Sequence, residues 1–198
     1  MNYLVIDLEM CKVPKNYRGK NYKYASEIIQ VGAVLLDEEY KEIGTLCQYV
    51  HPEFGILDYF ITNLTGIEKG QIKNAPKLKD ALIHMADWLG EREYKVFAWS
   101  KSDYWQLDHE IKSKKLNDEK LDELMKPERW VDYQEIFGKK YKKDIINEKY
   151  NYIEEVMEEC MMGWMMHGIQ HVLLKNWKRI QIISSFIGNG RSKKIHSH

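Results

Sequence analysis

The stretch NYLVIDLEM, residues 2–10, decides the fold. Residues 2–8 are a short apolar run with β-branched members, the pattern of a strand buried in the middle of a sheet. Asp7 and Glu9 stand two residues apart, so on a strand both carboxylates project from one face. Two like charges side by side at a buried strand end are unfavourable unless a cation neutralises them. Hard ions that prefer oxygen ligands, Mg²⁺ or Mn²⁺, suit that role. A DxE pattern alone is short and common, and it reads equally well as two solvated acids where a loop begins.

Outward from this strand, EIIQVGAVLL (27–36) and EIGTLCQYV (42–50) are two further strands joined through DEEYK, a hairpin and therefore antiparallel. HPEFGILDYFITNLTGI (51–67) is mostly loop, with a short helix that Thr62 or Asn63 would cap. In PKLKDALIHMADWLG (76–90), Leu78, Ala81, Leu82, Met85, Trp88 and Leu89 fall at helical spacing, with Gly90 as the stop. YKVFAWS (94–100) is a strand, and Ser102 caps a helix that runs to about Lys115 with Leu107 and Ile111 on one face. RWVDYQEIFGKKY adds a short strand and the start of a helix. Strands interleaved with helices indicate a three-layer α/β domain. There is no internal repeat and no linker.

Composition narrows the function classes. Thirty basic and thirty acidic residues cancel, so no global field draws the chain to polyanions, and any such binding must be local. Its 198 residues can bury a core without disulfides or a structural metal. Cys11, Cys47 and Cys160 are far apart and suit a reducing compartment. No apolar run reaches membrane-spanning length and the N-terminus reads as a strand and not a leader, so the expected location is cytoplasmic.

A third acid joins the first two. In WSKSDYWQL (99–107), Asp103 sits in the first turn of a helix that follows a strand, where the loop can deliver a carboxylate to the sheet's edge. Alone, it reads equally as an acid favoured by the helix dipole. Taken in order, VIDLEM, EIIQVGAVLLD, YVHPEFGILDYFITNLTGI, WSKSDYWQL and WVDYQEIF resemble the DEDDh 3′–5′ exonucleases, the superfamily of RNase T and the polymerase proofreading subunits. The resemblance spans roughly residues 2–137. It is strongest to the branch of the histone-mRNA 3′-end exonuclease and the bacterial sporulation-inhibitor exonucleases, in which the YVxP to LTGI segment is a familiar feature.

That resemblance implies a ribonuclease H-like fold, a five-stranded mixed sheet flanked by helices with three antiparallel strands first. It implies two divalent ions, Mg²⁺ or Mn²⁺, held by four acids, of which Asp7, Glu9 and Asp103 match three. It further implies that Met10, through its backbone, and Leu64 and Thr65, wedged against the terminal base, hold the 3′ nucleotide of single-stranded RNA or DNA. Leu64 reads equally as core packing. The family's remaining motif, a histidine base followed five residues later by the fourth acid, resembles HxGxDDA.

Here the chain departs from the pattern. After Asp144 there is no Asp, and His167, His171, His196 and His198 lack an acid at the required distance. Glu154, Glu155, Glu158 and Glu159 read more simply as a solvated helix face. Yet CMMGWMMHGIQH (160–171) is rich in Met and Trp, each of which has one codon, so the segment nearly fixes its own DNA. Read from the third base of each codon, Cys160 into Met161 permits His. Met161 into Met162 gives Asp, Met162 into Gly163 gives Gly, and Trp164 through Met166 gives Asp-Asp. Met166 into His167 gives Ala.

That frame spells HDGxDDA. The exonuclease domain is therefore expected to occupy residues 1–144, with residues 145–198 a segment out of frame from somewhere in 138–160. The expected activity is 3′–5′ exonuclease hydrolysis by a two-metal mechanism, impaired in this chain. The alternative is a catalytically inactive nucleic-acid-binding or regulatory protein on the same fold. KSKK (112–115) and GKKYKK (138–143) are either solvated faces or a track for phosphates.

Overall fold

The computed structural model describes residues 1–19, 22–132 and 135. Five strands form one sheet in the order β3-β2-β1-β4-β5. They are β1 (Asn2–Lys12), β2 (Ser26–Leu36), β3 (Glu42–Tyr49), β4 (Tyr94–Ala98) and β5 (Trp130–Asp132). β1 pairs antiparallel with β2 and β2 antiparallel with β3, whereas β4 lies parallel to β1 and β5 parallel to β4. This is the mixed, ribonuclease H-like sheet that the resemblance implies, with NYLVIDLEM at its centre. The helices are α1 (Tyr59–Thr65), α2 (Lys69–Lys73), α3 (Leu78–Leu89), α4 (Lys101–Ser113) and α5 (Glu119–Leu124).

Strand alternation gives β1 two different duties. Leu4, Ile6 and Leu8 enter the main core with Leu78, Leu82, Met85 and Leu89 of α3, Leu107 of α4, and Leu121 and Leu124 of α5. Each such fully buried side chain stabilises the fold by roughly 1.5–3 kcal/mol relative to exposure. Cys11 belongs to a second cluster, with Ile29, Leu57, Ile67 and Ile72, beside α1 and α2. At residues 9 and 10 the pairing jumps from Glu9↔Gln30 to Met10↔Ile28, a bulge that bends the strand end bearing the acids.

α3 ends at Gly90, as its spacing predicts. Two caps differ from expectation. α1 begins earlier than a Thr62 or Asn63 cap would place it, because the Asp58 carboxylate accepts the Ile61 amide at 2.9 Å. α4 is capped by Ser100 and not Ser102. The Ser100 hydroxyl accepts the Ser102 amide, which puts Ser102 inside the first turn. α2 and α5 are too short to show a periodic pattern in sequence.

One buried ionic cluster ties loop, sheet and helix together. The fully buried Glu27 accepts backbone amides from Glu53, Phe54 and Gly55, and pairs with the Lys114 ammonium at 2.6 Å. Lys114 also lies 2.9 Å from Glu110, whose other oxygen accepts the Ile28 amide and the Gln106 side chain at 2.7 Å each. Burial opposes the charge on Lys114, but the adjacent Glu110 and Glu27 carboxylates outweigh it and hold its pKa above the ordinary value. The loop packs so tightly that a Cβ at Gly55 would sit 2.3 Å from Cys11 Sγ.

Replacing Lys114 with Met leaves two buried carboxylates without a cation, so urea denaturation should register a loss of about 3–5 kcal/mol. Lys112→Ala, two residues away at an exposed pair with Asp108, should stay within about 0.5 kcal/mol. Equal losses for the two would refute the buried-charge account.

Candidate active site

β1 outruns its parallel neighbour. β4 pairs with it only through Val5↔Phe97, so Ile6 to Lys12 continue past the point where β4 ends at Ala98. The chain leaving β4 turns over the edge that is thus vacated, and the first turn of α4 brings Asp103 there. Backbone amides of Asp103 itself, Leu8 and Ser100 favour the charged form of the Asp103 carboxylate, and the Ser102 hydroxyl lies 3.5 Å from it. Asp103 comes close enough to Glu9 for its charge to be felt there. Asp7 stands two residues before Glu9, opposite Gly32 of β2. Of the three acids singled out in sequence, the structure brings Asp103 toward Glu9, while Asp7 stands two residues back on β1; each is partly buried.

The electrostatics of the pair are unfavourable as the protein stands. Burial, and after it the charge of Asp103, push the Glu9 carboxyl up to about 7. Burial raises Asp103 to about 6 against the opposing effect of its hydrogen bonds. Among the described residues no group of three or more His, Cys, Asp or Glu side chains is drawn into metal-holding geometry. The donor chemistry nevertheless fits a divalent ion: partly buried carboxylate oxygens whose charged forms are penalised are what a hard cation relieves.

The residues assigned to the terminal nucleotide lie nearby in the topology. Met10 packs partly buried against the main core, and α1, which carries Leu64 and Thr65, abuts β1 through a loop whose Ile56 bridges to Lys12. Leu64 is partly exposed. Thr65 is buried, with its hydroxyl donating to Ile61 O at 2.8 Å and accepting the Ile67 amide at 3.1 Å.

Sequence reasoning missed Tyr59 and Phe60, which are 80% and 67% exposed. Phe60 precedes Leu64 by four residues and so shares its helix face. The available signal was an aromatic pair set just after turn-forming residues, where no core awaits it.

The described histidines are engaged away from the acids. His51 bonds Ile72 O, His84 bonds Gln48, and His109 stacks on Tyr24. The stretch 160–171 and the four glutamates from 154 to 159 lie outside the described residues, as do GKKYKK and the expected boundary at 144. Cys11 and Cys47 are free thiols, and no helix among the described residues is long and apolar enough to cross a membrane.

Comparison with known proteins bears on this arrangement. The RNase T exonuclease family matches residues 4–158. No curated protein sequence matches the chain. Among solved structures it superposes on a 3′-exonuclease engaged in 3′-end-specific recognition of a histone mRNA stem-loop, at 23% identity and a TM-score of 0.58. That match covers 71% of this chain and 63% of the other. The nuclease domain of 3′hExo, a DEDDh family member bound to rAMP, aligns at 21% identity and a TM-score of 0.64 over 99% of this chain and 96% of that one. A full-length 3′-exonuclease aligns at 21% and 0.68, over 99% and 87%. At these identities the likeness is one of fold.

The raised carboxyls give a signed prediction. A carboxyl whose folded pKa lies above its unfolded one stabilises the fold below the unfolded value and loses that contribution as pH rises. For Asp103 and Glu9 the loss runs from the ordinary carboxylate range up through about 6 and about 7. Without divalent ions, the chain should therefore melt progressively below its Glu9→Gln variant as pH goes from about 5 to 8. Mn²⁺ should recover the difference at high pH in the parent only. Parallel melting curves for the two proteins would rule out this electrostatic account.

Proposed function

The chain belongs to the RNase T exonuclease family, and from that membership we propose that it is a 3′–5′ exonuclease acting on single-stranded RNA or DNA ends. The observation that carries the reading is the convergence of Asp103 on Glu9, with Asp7 beside it, at the one strand end that β4 leaves open. Those three side chains would hold Mg²⁺ or Mn²⁺, which when bound supplies charge neutralisation at the scissile phosphate and a more acidic attacking water. Phe60 and Leu64, on one face of α1, offer an apolar bed for the terminal base, and Met10 flanks it from the bulged strand. Free thiols and the absence of a described membrane-crossing helix accord with a cytoplasmic protein.

We further propose that the base and fourth acid are lost from this chain by a frame change between residues 138 and 160. The family match ends at residue 158, ahead of Cys160 and the segment whose shifted frame spells HDGxDDA, which supports this reading. As it stands the chain then hydrolyses slowly, since a missing general base alone lowers rate by about 10²–10⁴-fold. The second reading, a nucleic-acid-binding protein without turnover, is favoured by the lack of any acid five residues beyond His167.

The test compares this chain with one whose shifted frame is restored, on a 5′-labelled single strand with Mn²⁺. The restored chain should produce a ladder shortening from the 3′ end, at least about 10²-fold faster than the unrestored chain. Asp7→Asn should abolish the ladder in both. Cleavage that survives Asp7→Asn or needs no divalent ion would sink the enzyme reading. An unrestored rate in the corrected frame would sink the frame reading.

A further inference from the structure

KSKK, at the end of α4, does not face open solvent alone. Lys112 and Lys115 join Lys23, Lys77 and Lys79 around a groove of about 860 Å³, with the ring of Tyr24 in its wall. Three of these lysines have carboxylate partners: Lys77 with Glu53, Lys79 with Asp118 and Lys112 with Asp108. Exposed pairs of this kind are worth about 0–1 kcal/mol and exchange readily for phosphate. Lys23 and Lys115 are exposed, and their ammonium groups have no hydrogen-bond or ion-pair partner among the described residues. Lys115 moreover holds the left-handed conformation, φ 54°, just past the end of α4, a position where glycine is the usual occupant.

A line of rings adjoins the groove. Tyr24 stacks on His109 at 4.3 Å with the planes 6° apart, and His109 lies 6.0 Å from Trp105, which is 50% exposed. Trp105 and His109 are four residues apart, so they share a face of α4 whose next turn brings Lys112. The same helix begins at the active site with Asp103. From Asp103 to Ser113, the last residue of α4, is about 15 Å of helix at 1.5 Å per residue, with Lys115 just beyond it. That distance corresponds to about four stacked nucleotides at 3.4 Å each.

We infer that α4 and the Tyr22–Tyr24 segment form an extended single-strand subsite, in which the nucleotides 5′ to the one being removed stack along Trp105 and the His109–Tyr24 pair and their phosphates reach Lys23 and Lys115 in the groove. Sequence-tolerant stacking combined with lysine contacts to the backbone is the chemistry of single-strand binding. The inference rests on the exonuclease reading for its polarity, and its binding chemistry is separable from catalysis.

Fluorescence anisotropy of the full chain in EDTA, with a labelled single strand of about twelve nucleotides, tests it. Lys23→Glu combined with Lys115→Glu should weaken binding at least about tenfold at low salt, and should reduce the slope of log K against log salt by about 0.7 for each lysine. Trp105→Ala should weaken binding by about five- to a hundredfold with the slope unchanged. A trinucleotide, too short to span the helix, should not sense the lysine changes. Lys41→Glu, on the β2–β3 hairpin, serves as the control of equal charge change per site. The inference is overturned if the chain does not bind the long strand, if the double variant behaves like the control, or if a blunt duplex of equal length binds as well and with the same sensitivities. Metal-dependent cleavage by the restored-frame chain is scored separately with Asp7→Asn. Loss of the subsite with intact cleavage refutes the groove alone, and an intact groove without cleavage refutes the enzyme reading alone.

Discussion

The ion cluster of Lys114 with Glu27 and Glu110 is the constraint on which the site's geometry rests. It joins the start of β2, the loop at residues 53–55 and the last turn of α4 at a single ammonium. The loop leads into α1 with Leu64 and Phe60, and the first turn of α4 carries Asp103, so the elements bearing both are referred to one buried charge. Buried ion pairs add little net stability when compared with apolar packing, and breaking one is costly. Their value here is geometric: the cluster satisfies three loop amides that would otherwise be left unpaired beside Cys11.

The acids at the open end of β1 present the opposite economy. Glu27 and Glu110 have a cation, whereas Glu9 and Asp103 are held near each other and away from water, and are pushed toward their neutral forms. The fold thus holds one acid pair at a strand end against the penalty of burial, while a second pair nearby is offset by a buried ammonium. Apolar packing supports the expense. The face of β1 carrying Leu4, Ile6 and Leu8 anchors the strand, so its other face can carry unfavourable charge without shifting register.

Much of this was readable from residues. β1, the β2–β3 hairpin and α3 follow from period-two and period-3.6 patterns long enough to be unambiguous, and Gly90 stops α3 where expected. Asp7 and Glu9 were legible because a spacing of two fixes a common face; Asp103 became convincing only through its order in a family pattern. The start of α1 was obscured because Tyr59 and Phe60 look like core and stand in solvent. Glu27 was invisible for a different reason. EIIQ reads simply as a strand start, and the partner that makes burial of its acid tolerable lies 87 residues away. No local pattern encodes such a pair. The lysines of the groove likewise come from three separated segments, and only one of them, KSKK, forms a run.

The central position of β1 also orders the ways in which the site can come apart. It pairs with β2 along nearly the whole strand and with β4 over its first half, so Asp7 and Glu9, beyond the reach of β4, stand on backbone held from the β2 side that loosens only when that pairing opens. Asp103 stands on the opening turn of a helix, fastened by the Ser100 cap. Opening that turn is a smaller event than opening the sheet. The site therefore disassembles from one side, the helical acid departing while the strand acids remain in place, and the strand keeps two of the three carboxylates in every partly opened state that preserves the sheet.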